Sequence, residues 1–459
     1  MNRLYSQGKA EFSLRSRGRA SGFLLAVGLA ALFMAGEAVR IVLASSLEGS
    51  ARLPQLRRAL TLDPDDPKLH YQLGLVYSYS PQDIDPAEAL KHFRRATELN
   101  PYKAIYWSSL ASACDSMGDR VCADRALERA VTLSPMTPRL HWITANHYLV
   151  TDRTEVALPH FQRLLELSPD EYAWPTFRLC LQATRDPQVV LEKVLPSGPD
   201  TKLKLAYIDF LSAQGNLDFA YGVWGQTVAK ASPFDFWLAA SYLGRLLELG
   251  RYKEAINVWG DLERLGIVNK PPSEDGDNLI YNGDFEQVPL NAGFDWRTSE
   301  LPYLWFAFPS SGAYRGGRCL RLDFTVGRND ESEAVYQFVP AAPNQGYLLT
   351  AYTRSDNITS DSGPRLRVVD PACPACLDVS SETTVGTTPW HPVSLKFSTG
   401  DHAQVVRVSV WRPRSRTFPT EITGTFWLDA VSLKRLDLEK SEVRSQKSEA
   451  RIVKGKGKG

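Results

Sequence analysis

The sequence predicts a multidomain chain of α plus β class: an N-terminal transmembrane helix, an α-solenoid and a C-terminal β-sandwich. Three observations predict it. An uncharged apolar run, Ser21 to Gly36, stands near the start. From residue 50 to 266, apolar residues recur at helical spacing in paired runs closed by prolines. From Asn278 the apolar period becomes two.

Residues 1–20 are polar and basic, with Arg3, Lys9, Arg15, Arg17 and Arg19 against Glu11. The apolar run then continues past Glu37 and Arg40 to Ala44, so the span 21–44 is long enough for a bilayer. The basic flank reads as that of an uncleaved signal anchor, with the bulk of the chain outside the cytoplasm, on the periplasmic side. The competing reading is a cleaved signal peptide ending at Val42-Leu43-Ala44, which would release the remainder as a secreted protein.

The solenoid reading rests on Pro64, Pro101, Pro135 and Pro169, spaced 37, 34 and 34 residues apart. Counting back from Pro135, Trp107, Leu110, Ala111, Ala123, Leu127 and Ala130 fall on positions 4, 7, 8, 20, 24 and 27 of a 34-residue unit. Ala89, Phe93 and Ala96 repeat positions 20, 24 and 27 in the unit before, and Leu73, Gly74 and Tyr77 mark its first helix. Small residues let two antiparallel helices approach, large ones fill the gap, and proline stops the second helix. The three extra residues of the 37-residue unit fit in SPQDID, between its helices. This pattern resembles the tetratricopeptide repeat family, helix–turn–helix units that stack because no single unit buries its own apolar face. The register continues through His141, Ala145, Tyr148, Ala157 and Phe161, degenerates over 172–199 around Pro175 and Pro187, and recovers at Gly215, Ala220 and Trp224, then at Gly250, Ala255 and Trp259. Six or seven hairpins fit between 50 and 266. The resemblance implies a protein partner along the first helices of the units, at Lys68 and Tyr71 and at Arg139, Trp142 and Asn146.

Residues 267–277, with paired prolines, acids and glycine, read as a linker. Over 278–436, segments such as YLLTAYTR, VVRVSVWR and GTFWLDAVSL alternate apolar and polar residues between turn signals. The opening NLIYNGDFE and closing FWLDAVSL resemble the first and last strands of the galactose-binding-like jelly rolls, a group that includes many carbohydrate-binding modules. That resemblance implies a structural calcium held by Asp284, Glu286 and Asp429, whose hard oxygens suit that ion, although the same residues also read as turn caps. No other cofactor is expected. Aromatic faces stack on the apolar faces of pyranose rings, which makes Trp296, Tyr303, Trp305, Tyr314 and Trp411 the glycan candidates. The tail, 437–459, is charged, ends KGKGKG and is expected to be disordered.

Composition limits the function classes. A net charge of +1 over 459 residues gives no argument for nucleic acid. Six cysteines are too few for a disulfide scaffold. Cys373 and Cys376 read as a local disulfide stapling a loop, and Cys114 and Cys122 as small buried residues rather than a pair. GxxxxGK[ST], HExxH and GxSxG are all missing, and no spacing singles out a pair of carboxylates for glycoside hydrolysis. The expectation is a non-enzymatic, membrane-anchored scaffold. Its repeats bind protein and its sandwich binds glycan or protein, in a bacterial polysaccharide or envelope assembly. The alternatives are an accessory subunit of a carbohydrate-active enzyme and a purely structural spacer.

Overall fold

Where apolar residues recur every three or four positions the chain forms helices, and where they alternate it forms strands. The computed structural model describes residues 17–48, 52–196, 198, 200–268, 277–418 and 420–436. The expected tail, most of the linker and most of the basic N-terminal segment lie outside the described residues. Two compact units divide the chain, Met1–Ser197 and Gly198–Gly459.

The first unit begins with α1 (Arg17–Glu48) and α2 (Leu53–Leu62). Leu25, Leu29, Leu32, Phe33, Met34 and Val39 of α1 are exposed. Glu37 and Arg40 pair at 2.7 Å one turn apart. Taken over the described residues alone, no helix is long and apolar enough to cross a membrane. The side chains before Leu25 lie outside that description.

Hairpins follow: α3 (Pro67–Tyr79) with α4 (Pro86–Leu99), α5 (Ala104–Ser116) with α6 (Arg120–Leu133), α7 (Pro138–Val150) with α8 (Thr154–Leu167), and α9 (Pro169–Thr184) with α10 (Pro187–Lys193). The SPQDID insert is the connection between α3 and α4. Proline opens α3, α4, α7, α9 and α10, where its missing N–H costs nothing, and Asp66, Asp85, Asp119 and Asp186 accept backbone N–H groups at helix starts. In the hairpins with a short turn, one turn residue takes positive φ. Gly118 supplies it at 74°, and Asp152 and Arg185 take the same place at 57° and 55°. The degenerate stretch is thus a long helix that tolerates Pro175, followed by a seven-residue helix.

After three of the closing prolines, the residue six places on ties back to the proline's carbonyl, whereas six places after Pro169 stands Pro175, which has no side-chain donor. His70 donates to Pro64 (3.0 Å), Trp107 to Pro101 (2.9 Å) and His141 to Pro135 (2.9 Å). The histidines each meet a second one from the other helix of the hairpin: His70 with His92 at 2.9 Å, and His141 with His160 at 3.2 Å. Between these repeats Trp107 packs against a core cluster that includes Ala126, which stands 25 residues after its proline as His160 does. His147 of α7 lies between Asp115 (2.9 Å) and Asp124 (2.7 Å) of the preceding hairpin, joining the two units of the repeat. One expectation is corrected here: Cys114 and Cys122 are disulfide-bonded, joining α5 to α6 with their Cα atoms 5.8 Å apart. Helical register places both on the inner side of the same hairpin, which reads equally as two small buried residues.

The second unit contains α11 (Thr201–Ala213), α12 (Leu217–Val228), α13 (Trp237–Glu248), α14 (Tyr252–Arg264) and the sandwich. One sheet orders β1 (Arg297–Thr298), β4 (Ser332–Pro340), β9 (Val405–Arg412), β6 (Arg365–Val369) and β7 (Asp378–Ser380). The other orders β2 (Leu304–Ala307), β3 (Leu320–Arg328), β10 (Ile422–Arg435), β5 (Gly346–Ile358) and β8 (Gly386–Ser398). All pairs are antiparallel. Between the sheets lie Val335, Val339, Val406, Val408 and Val410 against Leu320, Leu322, Leu349, Phe426 and Leu428.

The helices of this unit do not stop short of the sandwich. Trp259 of α14 packs edge-on against Tyr281 (5.4 Å) and Phe294 (5.7 Å), and Tyr252 lies 6.3 Å from Phe338 of β4. The compact unit therefore begins at Gly198 rather than after the linker.

Candidate functional site

Alternation along each strand decides which side chains face outward. On β10, Phe426 and Leu428 enter the core while Thr425 and Trp427 face out; on β5, Leu349 and Ala351 enter it while Tyr352, Arg354 and Asp356 face out. Register then sets the neighbours. Trp427 lies between Arg321 and Arg354, Thr425 between Asp323 and Asp356, and Trp305 beside Asp323. The Arg354 guanidinium stands 4.5 Å over the Trp427 ring, and Arg321 5.8 Å from it. Arg321 pairs with Asp323 at 3.0 Å, and Thr425 donates to the same carboxylate at 2.7 Å.

One edge of this face is a loop carrying Tyr314. Its ring stacks on Tyr352 with centroids 3.6 Å apart and planes 12° from parallel, and Trp390 of β8 stands 6.0 Å away. The Trp390 indole N–H donates to the Gly312 carbonyl at 3.3 Å. Arg354, Asp356, Thr387, Thr388, Pro389 and Trp390 line an open depression of about 560 Å³ beside that loop. On the other sheet, Phe338 on the outer side receives Tyr252 from α14.

The three carboxylates expected at a calcium all accept backbone N–H groups. Asp429 is fully buried and accepts from the backbone N–H groups of Tyr314 (2.8 Å), Arg315 (3.0 Å) and Ala430 (2.6 Å). Glu286 accepts from those of Gly317 (2.6 Å) and Arg318 (3.0 Å), and Asp284 from that of Glu286 (3.4 Å). Burial raises the Asp429 carboxyl above its ordinary value, and the three N–H bonds oppose that. Among the described residues no group of three or more His, Cys, Asp or Glu side chains is placed to hold a metal ion. Asp429 and Glu286 instead fix the loop that presents Tyr314.

Of the five glycan candidates, Trp305 and Tyr314 lie on the open face, Trp305 being 68% exposed. Trp296 and Tyr303 are corrected to core residues. Trp296 is 1% exposed, packs on Phe285 and donates to the Asn282 carbonyl at 3.0 Å; Tyr303 is 5% exposed. Trp411 belongs to the other sheet, where Arg367 lies 4.3 Å over its ring and its N–H donates to Glu331 at 3.0 Å. Selection by aromatic type alone missed Tyr352, Arg354, Trp390 and Trp427, three of which the alternation of YLLTAYTR and GTFWLDAVSL places outward.

In the first unit, Lys68 and Arg139 are exposed near the starts of α3 and α7. Tyr71 and Trp142 are half-buried and serve packing. Tyr71 meets Phe93 (5.9 Å) and Tyr106 (4.9 Å), and Trp142 meets Phe161 (6.0 Å) and Tyr172 (5.5 Å). The Asn146 amide donates to the Trp142 carbonyl of its own helix at 2.7 Å. The loop cysteines Cys373 and Cys376 are joined, and Cys180 and Cys319 are buried thiols.

Residues 122–172 match the tetratricopeptide repeat family. Within that match lie α7 and α8, a complete hairpin of the repeat. The solved structure described as "CBM4 structure and function" aligns at 15% identity and a TM-score of 0.26, over 34% of this chain and 99% of that one. A structure of MamA AMB-1 aligns at 31% identity and a TM-score of 0.22, over 25% of this chain and 65% of that one. The enzymatically active domain of Bacteriophage CBA120 tailspike protein 4 aligns at 13% identity and a TM-score of 0.27, over 35% of this chain. This chain spans 21% of the tailspike chain and under two thirds of the MamA chain. No curated protein matches the sequence.

Proposed function

We propose that this protein is a non-enzymatic scaffold anchored in a membrane through α1, with its repeats holding a protein partner and its sandwich holding a glycan. The setting is the assembly or export of bacterial polysaccharide, with the bulk of the chain on the periplasmic side. The observation that carries the reading is the outer face of the β2–β3–β10–β5–β8 sheet. It combines an exposed Trp305, a stacked Tyr314–Tyr352 pair and Trp390 with arginines and aspartates that hydrogen-bond hydroxyls. Asp323 is engaged by Arg321 and Thr425, which suits a binding surface better than a poised acid. The two disulfides suit an oxidising compartment, and the apolar surface of α1 suits lipid.

Affinity electrophoresis of the full chain in detergent through gels containing polysaccharide tests the glycan half. Retardation is expected to be lost in the Trp305→Ala/Trp390→Ala variant and kept in Trp411→Ala. Retardation unchanged in the first variant contradicts the assignment of the face. For the anchor, the full chain is expected to resist a carbonate wash, and a mature N-terminus at Ser45 would replace it with a cleaved signal. For the partner half, exposed Arg139 is a better probe than Trp142, whose removal also disturbs packing. Arg139→Ala is expected to weaken a cross-linked partner in a salt-dependent way.

A further inference from the structure

We propose that the glycan held by this face is acidic, and that Arg354 receives its carboxylate. The inference rests on reading the face as a glycan site. Four other arginines of the sandwich are matched to acids, Arg321 to Asp323, Arg328 to Asp330, Arg367 to Asp378 and Arg407 to Glu333, while Arg297 and Arg365 lie over rings of the other sheet, Phe338 and Trp411. On the proposed face it is Arg354 that lies over a ring. Its guanidinium lies 4.5 Å over the indole of Trp427, its cross-strand neighbour, and among the described residues no carboxylate pairs with it.

Stacking occupies the face of a guanidinium and leaves its in-plane N–H groups available, in the fork that matches a carboxylate. Arg354 lines the same depression as Trp390 and Asp356. The nearest charges sort by role. Arg321 and Asp323 neutralise each other, and Asp356 accepts from the Thr387 hydroxyl at 3.2 Å. Asp356 keeps capacity to accept sugar hydroxyls. A uronic acid residue meets all of these at once: its ring on the Tyr314–Trp390 side, its hydroxyls at Asp356, and its carboxylate at Arg354.

The test measures binding of the full chain to a panel of uronans, namely alginate, polygalacturonate and hyaluronate, and to the same polymers after carboxyl reduction. The two forms differ only in the carboxylate. At least one uronan is expected to bind about tenfold more tightly than its reduced form, with the difference shrinking at high salt. Arg354→Gln is expected to erase the difference and Arg354→Lys to restore part of it. Equal binding of the acidic and reduced forms overturns the acidic assignment and leaves the glycan reading intact. Binding of neither form by any polymer overturns both. If Arg354→Gln loses its near-ultraviolet circular dichroism, the comparison of polymer forms on the unsubstituted chain decides.

Discussion

Single residues already separate structural from functional roles. In each histidine pair the first ring donates through Nε2 to a carbonyl, which only accepts, and when that ring is neutral its Nδ1 accepts from the second ring. The second histidines, His92 and His160, are pushed down to about 4 from 6.5, by burial first and then by the neighbouring ring. A depressed histidine leaves the folded state with fewer protons than the unfolded one, so stability is full above 6.5 and is lost as pH falls toward 4. Urea midpoints followed by helical circular dichroism are expected to fall across that window, and to fall less in His92→Gln/His160→Gln. Asp295 in the sandwich has the opposite sign. Burial raises it to about 6, so its contribution is full below 3.8 and is lost as pH rises through 6; Asp295→Asn should remove that dependence. A packing check is equally local. Ala111 is 1% exposed, so Ala111→Leu is expected to cost about 1–3 kcal/mol, whereas Lys91→Ala at an exposed site is expected to leave the urea midpoint unchanged.

At the scale of elements, what can be read in a sequence depends on whether a pattern repeats. Prolines at a 34-residue period and small residues at fixed places specify the hairpins, because every unit solves the same packing problem. Alternation specifies the strands, and with them the outward set Tyr352, Arg354 and Asp356. Single long-range contacts leave no such trace. Nothing periodic announces that Cys114 meets Cys122, or that Asp429 and Glu286 serve the backbone of a loop more than a hundred residues from one of them. The seat of α14 is the clearest instance, because prolines and acids after Gly266 read as a domain boundary while Trp259 reaches across to Tyr281 and Phe294. Gly293, with φ at 60°, leaves room for that ring: a Cβ there would come within 2.3 Å of it. Trp259→Ala is expected to cost about 3–5 kcal/mol. A fragment starting at residue 278 should melt well below one starting at residue 198, and equal melting temperatures would show that α14 lends the sandwich nothing.

On the scale of the whole molecule, one chain combines surfaces of different chemistry: an apolar helix, repeats with exposed cations at their helix starts, and a sheet face built from aromatics and arginine. In the sandwich, Tyr252 of α14 packs on Phe338 of one sheet, and the proposed ligand face is the outer side of the other. The account therefore turns on where a glycan touches this protein. Hydrogen exchange of the full chain, followed by mass spectrometry with and without a retained polysaccharide, reads that directly. Protection is expected in β2, β3, β5, β8 and β10 and in the loop around Tyr314, with the β4–β9–β6 segments and the repeats unchanged. Protection confined to β4, β9 and β6, or to the repeats, would contradict the account.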